Sequence, residues 1–155
     1  MSAATQSQST GPGGAAADEV VIVGGGIAGL TLALQLHRRG IPCTVYEAAA
    51  ELKPLGVGIS LLPHGTQALT ELGLLDAIAE RAVTFTESAF FTSHGQLVYR
   101  DPANSEFPQF LIHRADLHAV LYEAVVDRLG VSAVRLGMRC AGVRQLDDGA
   151  AALFV

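Results

Sequence analysis

Val20-Val21-Ile22-Val23-Gly24-Gly25-Gly26-Ile27-Ala28-Gly29-Leu30, followed by Gly40 and then Pro42-Cys43-Thr44-Val45-Tyr46-Glu47, is the stretch that decides the fold. Glu19 to Val23 carries a short, continuous apolar run, the pattern of a central parallel strand buried on both faces. Three glycines break it. Ile27, Leu30, Thr31 and Leu34 then recur at helical spacing up to Arg39, and Gly40 supplies the stop. Pro42 to Tyr46 reads as a second strand that ends at Glu47. Strand, helix and strand fit within about 30 residues, the size of one βαβ unit.

Gly24-x-Gly26-x-x-Gly29 lies between the predicted strand and the predicted helix, and each glycine has its own physical task. Gly24 permits the tight turn, Gly26 lets a pyrophosphate approach the backbone, and Gly29 lets helix and strand pack closely. Unpaired N–H groups at the helix start, which begins with Ile27 and Ala28, favour an anion together with the helix dipole. This device needs no Lys or Arg, so an acidic chain can carry it. Ala33 keeps the helix close to the sheet, and Gly40 fits the turn into the second strand. Glu47 stands near the offset of about 20 residues expected of a ribose-binding acid. A carboxylate there accepts from both ribose hydroxyls and repels a 2′-phosphate. The blander alternatives are a structural glycine turn and a solvated strand-end charge. Dinucleotide binding is the expectation, but FAD and NAD both contain ADP and the motif does not separate them.

The 155 residues suffice for one domain with a core. Half are hydrophobic and 16% charged, which excludes a disordered chain. A net charge of −5 and the lack of any Lys/Arg cluster argue against a nucleic-acid surface. Cys43 and Cys140 have no CxxC spacing and sit in apolar stretches, so both are expected buried and reduced, which fits a cytoplasmic setting. No segment reaches the ~20 apolar residues of a membrane span. Met1 to Ala17, rich in Ser, Ala, Gly and Gln, is expected to be a disordered tail rather than a secretory signal.

Beyond Glu47, Ala48 to Ser60 reads as a loop, Gly65 to Leu72 as a helix closed by Gly73, and Leu74 to Ala82 as another. Thr84–Phe91 and Gln96–Arg100 flank His94-Gly95 as a hairpin, within an excursion over 83–107, and Asp101 to Pro108 reads as a loop. Leu117, Val120, Leu121, Ala124 and Val125 form one face of a helix that ends near Gly130. Ser132–Leu136, Arg139–Gln145 and Ala151–Val155 read as strands, with a turn at Asp147-Asp148-Gly149. Val155 falls in mid-strand, so a truncated, incomplete domain over 18–155 is expected.

Several stretches carry a resemblance in content, order and spacing: Val21 to Leu30, Tyr46-Glu47, Gly56-Val57-Gly58-Ile59-Ser60-Leu61, Leu72-Gly73-Leu74-Leu75-Asp76 and Ile112-His113-Arg114-Ala115-Asp116-Leu117. From about Glu19 to Gln145 the chain resembles the start of the single-component FAD monooxygenases, the flavoprotein aromatic hydroxylases. The resemblance implies an α/β fold, a Rossmann-like FAD-binding βαβ domain of glutathione-reductase type, with a β-meander and a β-hairpin excursion that begins a substrate domain. It implies that Gly24, Gly26, Ile27, Ala28 and Gly29 face the FAD pyrophosphate and Glu47 the adenosine ribose. Val57 and Gly58 would lie near the flavin, and Arg114 would contact the cofactor, where its donors suit phosphate or ribose oxygens. The alternative for Arg114 is a surface ion pair with Asp116 or Glu123.

Arg38 and Arg39 are favourable at a helix end without any ligand. His64, where the family usually carries Asn after Pro63, is a poorer helix cap. His37, His94, His113 and His118 show no metal-ligand or triad spacing and read as structural or exposed. The implied reaction uses NAD(P)H, FAD and O₂ to hydroxylate a small, aromatic substrate. The family's later Asp-Gly and Gly-Asp cofactor motifs are not met before Val155, since Asp148-Gly149 reads as a hairpin turn between strands, and no side chain stands out as acid, base or nucleophile. Other readings are a different FAD oxidoreductase of this fold, a non-catalytic nucleotide-binding fragment, and a nicotinamide-only reductase.

Overall fold

Val20 to Tyr46 folds as the βαβ unit that its glycines and apolar spacing demand. The computed structural model describes residues 19–53, 56–102, 106–147 and 149–155. The tail expected over Met1–Ala17, the start at Asp18, Pro54 of the loop, residues 103–105 of the next loop and Asp148 of the turn lie outside the described residues.

Strand β1 (Val20–Val23) runs parallel to β2 (Cys43–Tyr46), with helix α1 (Ile27–Arg38) between them. Leu30, Ala33 and Leu34 form the buried face of α1. Gly40, at φ +70°, turns the chain back after it. Past β2 come β3 (Gly58–Leu61), α2 (Pro63–Glu71), α3 (Leu75–Ala79), β4 (Ala82–Phe85), β5 (Glu87–Phe91) and β6 (Leu97–Pro102). Then follow β7 (Gln109–His113), α4 (Arg114–Leu129), a 3₁₀ turn over Val131–Ala133, β8 (Val134–Arg135), β9 (Cys140–Leu146) and β10 (Gly149–Phe154).

The strands form one parallel sheet in the order β1-β2-β8, an antiparallel sheet β3-β7-β4, and two ribbons, β5-β6 and β9-β10. One core joins the two larger sheets through α1, α3 and α4. Leu30, Leu34, Ile78, Leu117 and Leu121 are at most 2% exposed within it, and each such side chain contributes about 2 kcal/mol by leaving water. The apolar stripe read on α4, from Leu117 to Val125, is the face that α4 buries.

The fold corrects several expectations. The central strand is β2, whose four residues are all buried, while β1 lies at an edge of the described sheet with Val23 55% exposed. An apolar run cannot say which strand receives two neighbours. The expected loop over 48–60 ends inside β3, whose first three residues it includes, and Gln109–His113 is a strand at the centre of its sheet. Thr84–Phe91 is not one strand. Its first part pairs with β7 and its second with β6, so the chain changes sheet at Thr86. Strand β6 runs to Pro102, into the expected loop, and α3 ends at Ala79, leaving Ala82 to β4.

The helix expected from Gly65 starts at Pro63, with Leu62 rather than His64 at the cap position. Of Ser132–Leu136 only Val134 and Arg135 pair as strand. Strands β9 and β10 form the hairpin expected on either side of the 147–149 turn, and it docks on β2 through a Tyr46–Phe154 stack with centroids 4.1 Å apart. Cys43 is buried, and burial, followed by Glu19, pushes its thiol pKa up. Cys140, expected buried, is only partly so.

Gly29 is where helix and strand touch. A Cβ there would stand 2.0 Å from the Gly24 carbonyl oxygen and 3.3 Å from Ile22 Cγ2. Backbone cannot yield as a side-chain tip does, so Gly29→Ala is expected to cost about 3 kcal/mol in a urea unfolding series.

Candidate cofactor-binding site

The glycine turn is held by its neighbours rather than by its own residues. Gly24 adopts φ +104° and donates its N–H to the Tyr46 carbonyl at 2.8 Å. Gly25 donates to Glu47 Oε2 at 2.7 Å, and the other carboxylate oxygen accepts from Ala49 N–H at 2.7 Å. A Cβ on Gly25 would press on Glu47 Cβ at 3.1 Å, so the side chain and the turn fit against each other only without one. Gly26 is the N-cap of α1, in extended backbone, and the Leu30 N–H bonds its carbonyl at 3.0 Å. The helix has no side-chain cap, and the N–H groups of its first turn have no intrahelical partner.

These groups border a cavity of about 490 Å³ lined by Gly25, Gly26, Glu47, Arg114 and His118, with residues 49–53 along one wall. Helix α4 begins at Arg114, capped by the His113 ring, which accepts from Ala115 N–H at 3.2 Å. Arg114 also donates its backbone N–H to the Val57 carbonyl at 3.0 Å. Gly56, at φ +141°, lets the chain pass the Arg114 side chain, because a Cβ there would approach Arg114 Cβ to 2.9 Å. Glu123, one alternative partner for Arg114, is bridged to Arg81 at 3.0 Å. A second cavity of about 380 Å³ shares Ala115 and His118 with the first and extends to Tyr122 and Leu136.

Of the residues singled out in the sequence, Gly26, Glu47 and Arg114 meet at one cavity. Gly24 and Gly29 shape the turn from behind. Ile27 and Ala28 form the first residues of α1 beside it. Val57 is 76% exposed, and neither it nor Gly58 lines this cavity. His118, which the sequence reads as structural or exposed, lines the cavity, and its Nε2 lies 2.7 Å from the Gly25 carbonyl oxygen. The signal was its spacing: four residues after Arg114 on a helix is the same face.

The geometry suits a dinucleotide. A Cβ on Gly26 would meet nothing within 4 Å, so that backbone face is open to a close-packed group. The Glu47 carboxyl is held below the ordinary glutamate range, chiefly by the Ala49 and Gly25 amides and slightly by His118, against an opposing effect of burial. It is therefore an ionised acceptor beside an anion-favouring helix start.

Residues 17–154 match the family described as FAD binding domain. The chain belongs to that family, and its cofactor is FAD. It is 41% identical over 126 residues to phenazine 1,6-dicarboxylic acid hydroxylase PhzS of Lysobacter antibioticus, covering 78% of this chain and 31% of that one. It is 38% identical over 136 residues to 3-amino-4-hydroxybenzoate 2-monooxygenase of Streptomyces cremeus, covering 83% and 34%. Among solved structures, HpxO of Klebsiella pneumoniae complexed with FAD and uric acid superposes with a TM-score of 0.69 at 26% identity, over 88% of this chain and 35% of that one. The chain thus spans about a third of the length of the curated relatives it matches. Among the described residues no helix is long and apolar enough to cross a membrane.

Because the folded-state pKa of Glu47 is depressed, its contribution to stability is full above the ordinary glutamate range and vanishes as pH falls through the lowered value. Glu47→Gln is expected to flatten the acid limb of the stability profile. Urea midpoints measured between about pH 7 and about pH 3 check this, since glutamate titrates within that span.

Proposed function

We propose that this chain is the FAD-binding part of an NAD(P)H-dependent monooxygenase that hydroxylates a small aromatic substrate. The observation that carries the reading is the convergence of the Gly24–Gly26 turn, the ionised Glu47 and Arg114 on one cavity, in a chain of the FAD binding domain family. Relatives named as hydroxylases and monooxygenases of aromatic acids support the substrate class.

In this reading the amides at the start of α1 hold the pyrophosphate, and Glu47 accepts from the ribose hydroxyls. Arg114 offers a guanidinium to phosphate or ribose oxygens at fixed geometry. Gly24 and Gly29 keep the turn tight, and Ile27 and Ala28 present the first free amides of the helix. Val57 and Gly58, outside the cavity, border the flavin end, where Val57 is tied to Arg114 by its carbonyl. FAD, when bound, supplies the transfer of reducing equivalents from NAD(P)H and the activation of O₂. This chain's residues bind and orient it. None of them is assigned as a catalytic acid, base or nucleophile.

The excursion over 83–107 begins a substrate domain in this reading. Support comes from the β5-β6 ribbon, which leaves Phe90, Phe91, Val98 and Tyr99 all more than half exposed. A cytoplasmic setting is supported by the two free cysteines.

Purified in the presence of FAD, the protein is expected to retain flavin absorption. Gly26→Ala puts a methyl group into the open face, so its FAD affinity is expected to fall at least about tenfold, with unfolding free energy within about 0.5 kcal/mol of wild type. Titration by flavin fluorescence with a parallel urea series reads both. Undiminished binding by Gly26→Ala would place the pyrophosphate elsewhere.

A further inference from the structure

We infer that His118 is a positioning residue for the cofactor: its imidazole Nε2–H holds the Gly25 carbonyl and so fixes the turn that receives the pyrophosphate. The inference rests on the FAD reading of the site and assigns the turn a fourth tie, from α4.

Three consecutive glycines have no side chains to pack, and each samples both signs of φ freely. Left to itself such a turn is among the least ordered pieces of backbone. Here successive groups are tied to different elements. The Gly24 N–H goes to Tyr46 at the end of β2, the Gly25 N–H to the Glu47 carboxylate, and the Gly26 carbonyl accepts from Leu30 of α1. The Gly25 carbonyl is held across 93 residues of sequence by His118, at 2.7 Å. Gly25 is buried, so a carbonyl deprived of this donor would have little water to replace it.

The contact has two chemical consequences. A carbonyl oxygen only accepts, so Nε2 must carry the proton, and the neutral ring is confined to the Nε2–H tautomer. The peptide joining Gly25 to Gly26 is planar and trans, so pinning the Gly25 oxygen also sets the direction of the Gly26 N–H. Gly26 lines the cavity, and a Cβ on it would meet nothing within 4 Å. Glu47 and His118 thus grip the two ends of one residue, Gly25. Arg114, four residues earlier on α4 and lining the same cavity, is brought into register by the same helix.

The test compares FAD affinity of the full chain as wild type, His118→Leu and His118→Gln, scored on protein shown by circular dichroism to be folded. Leucine fills space without donating, whereas the glutamine amide can reach the same oxygen. We expect His118→Leu to bind FAD about tenfold more weakly, with His118→Gln within about threefold of wild type. Folded His118→Leu that binds as tightly as wild type would overturn the inference, as would His118→Gln binding no better than His118→Leu. Wild-type protein that takes up no FAD would instead overturn the cofactor reading itself. Should His118→Leu not fold, nitrogen NMR of the wild-type imidazole decides: the Nε2–H tautomer is expected, and an Nδ1–H tautomer contradicts the proposed bond.

Discussion

The hydrogen bond from the Gly25 amide to the Glu47 carboxylate joins the two halves of the site, and much else is arranged so that it can form. It requires β1 and β2 to lie side by side in parallel register, with Val23 opposite Tyr46. It requires Gly24 to turn through positive φ directly after β1. It requires a residue without a Cβ at 25, because the Glu47 stem occupies that space. The acidic residue at the end of the second strand therefore has a structural task of its own. It is a brace for the turn beside it.

Several constraints hold this brace in place. Gly29 lets α1 lie against the Gly24 carbonyl, closer than any side chain would permit. The Glu47 backbone joins the far edge of the sheet: its N–H donates to the Arg135 carbonyl at 2.9 Å, and its carbonyl accepts from the Met138 N–H at 2.8 Å. Arg135 also lies over the Tyr46 ring, 5.5 Å from its centre, on which Phe154 stacks. The hairpin of β9 and β10 thus supports the strand end that carries Glu47. Helix α4, whose apolar face is in the core, delivers Arg114 and His118 from the opposite side.

Much of this was legible in the residues. The glycine spacing, the helical recurrence of Ile27, Leu30 and Leu34, and the acid at 47 are local signals, and local signals survive into the fold. What was not legible depended on neighbours far away in sequence. The run Val20–Val23 looks central because it is apolar, yet the strand with two neighbours is Cys43–Tyr46. Gly58–Leu61 and Gln109–His113 went unread as strands because each is short and bordered by Gly or Pro, and because their partner is each other. The break at Thr86 is a choice between two sheets that alternation alone does not encode. His118 was obscured for a related reason: a histidine between Leu117 and Val120 looks like a helix filler until the turn it touches, 93 residues back, is brought beside it.

The central claim is that backbone amides at the start of α1 receive a diphosphate while Glu47 takes the adjoining sugar. Titrating nitrogen-labelled protein with ADP, followed by amide NMR, tests it most directly. The largest shifts are expected at Gly26, Ile27 and Ala28, with Gly25 and Ala49 responding as Glu47 adjusts. Shifts confined to residues remote from this turn, such as the β5-β6 ribbon, would contradict it.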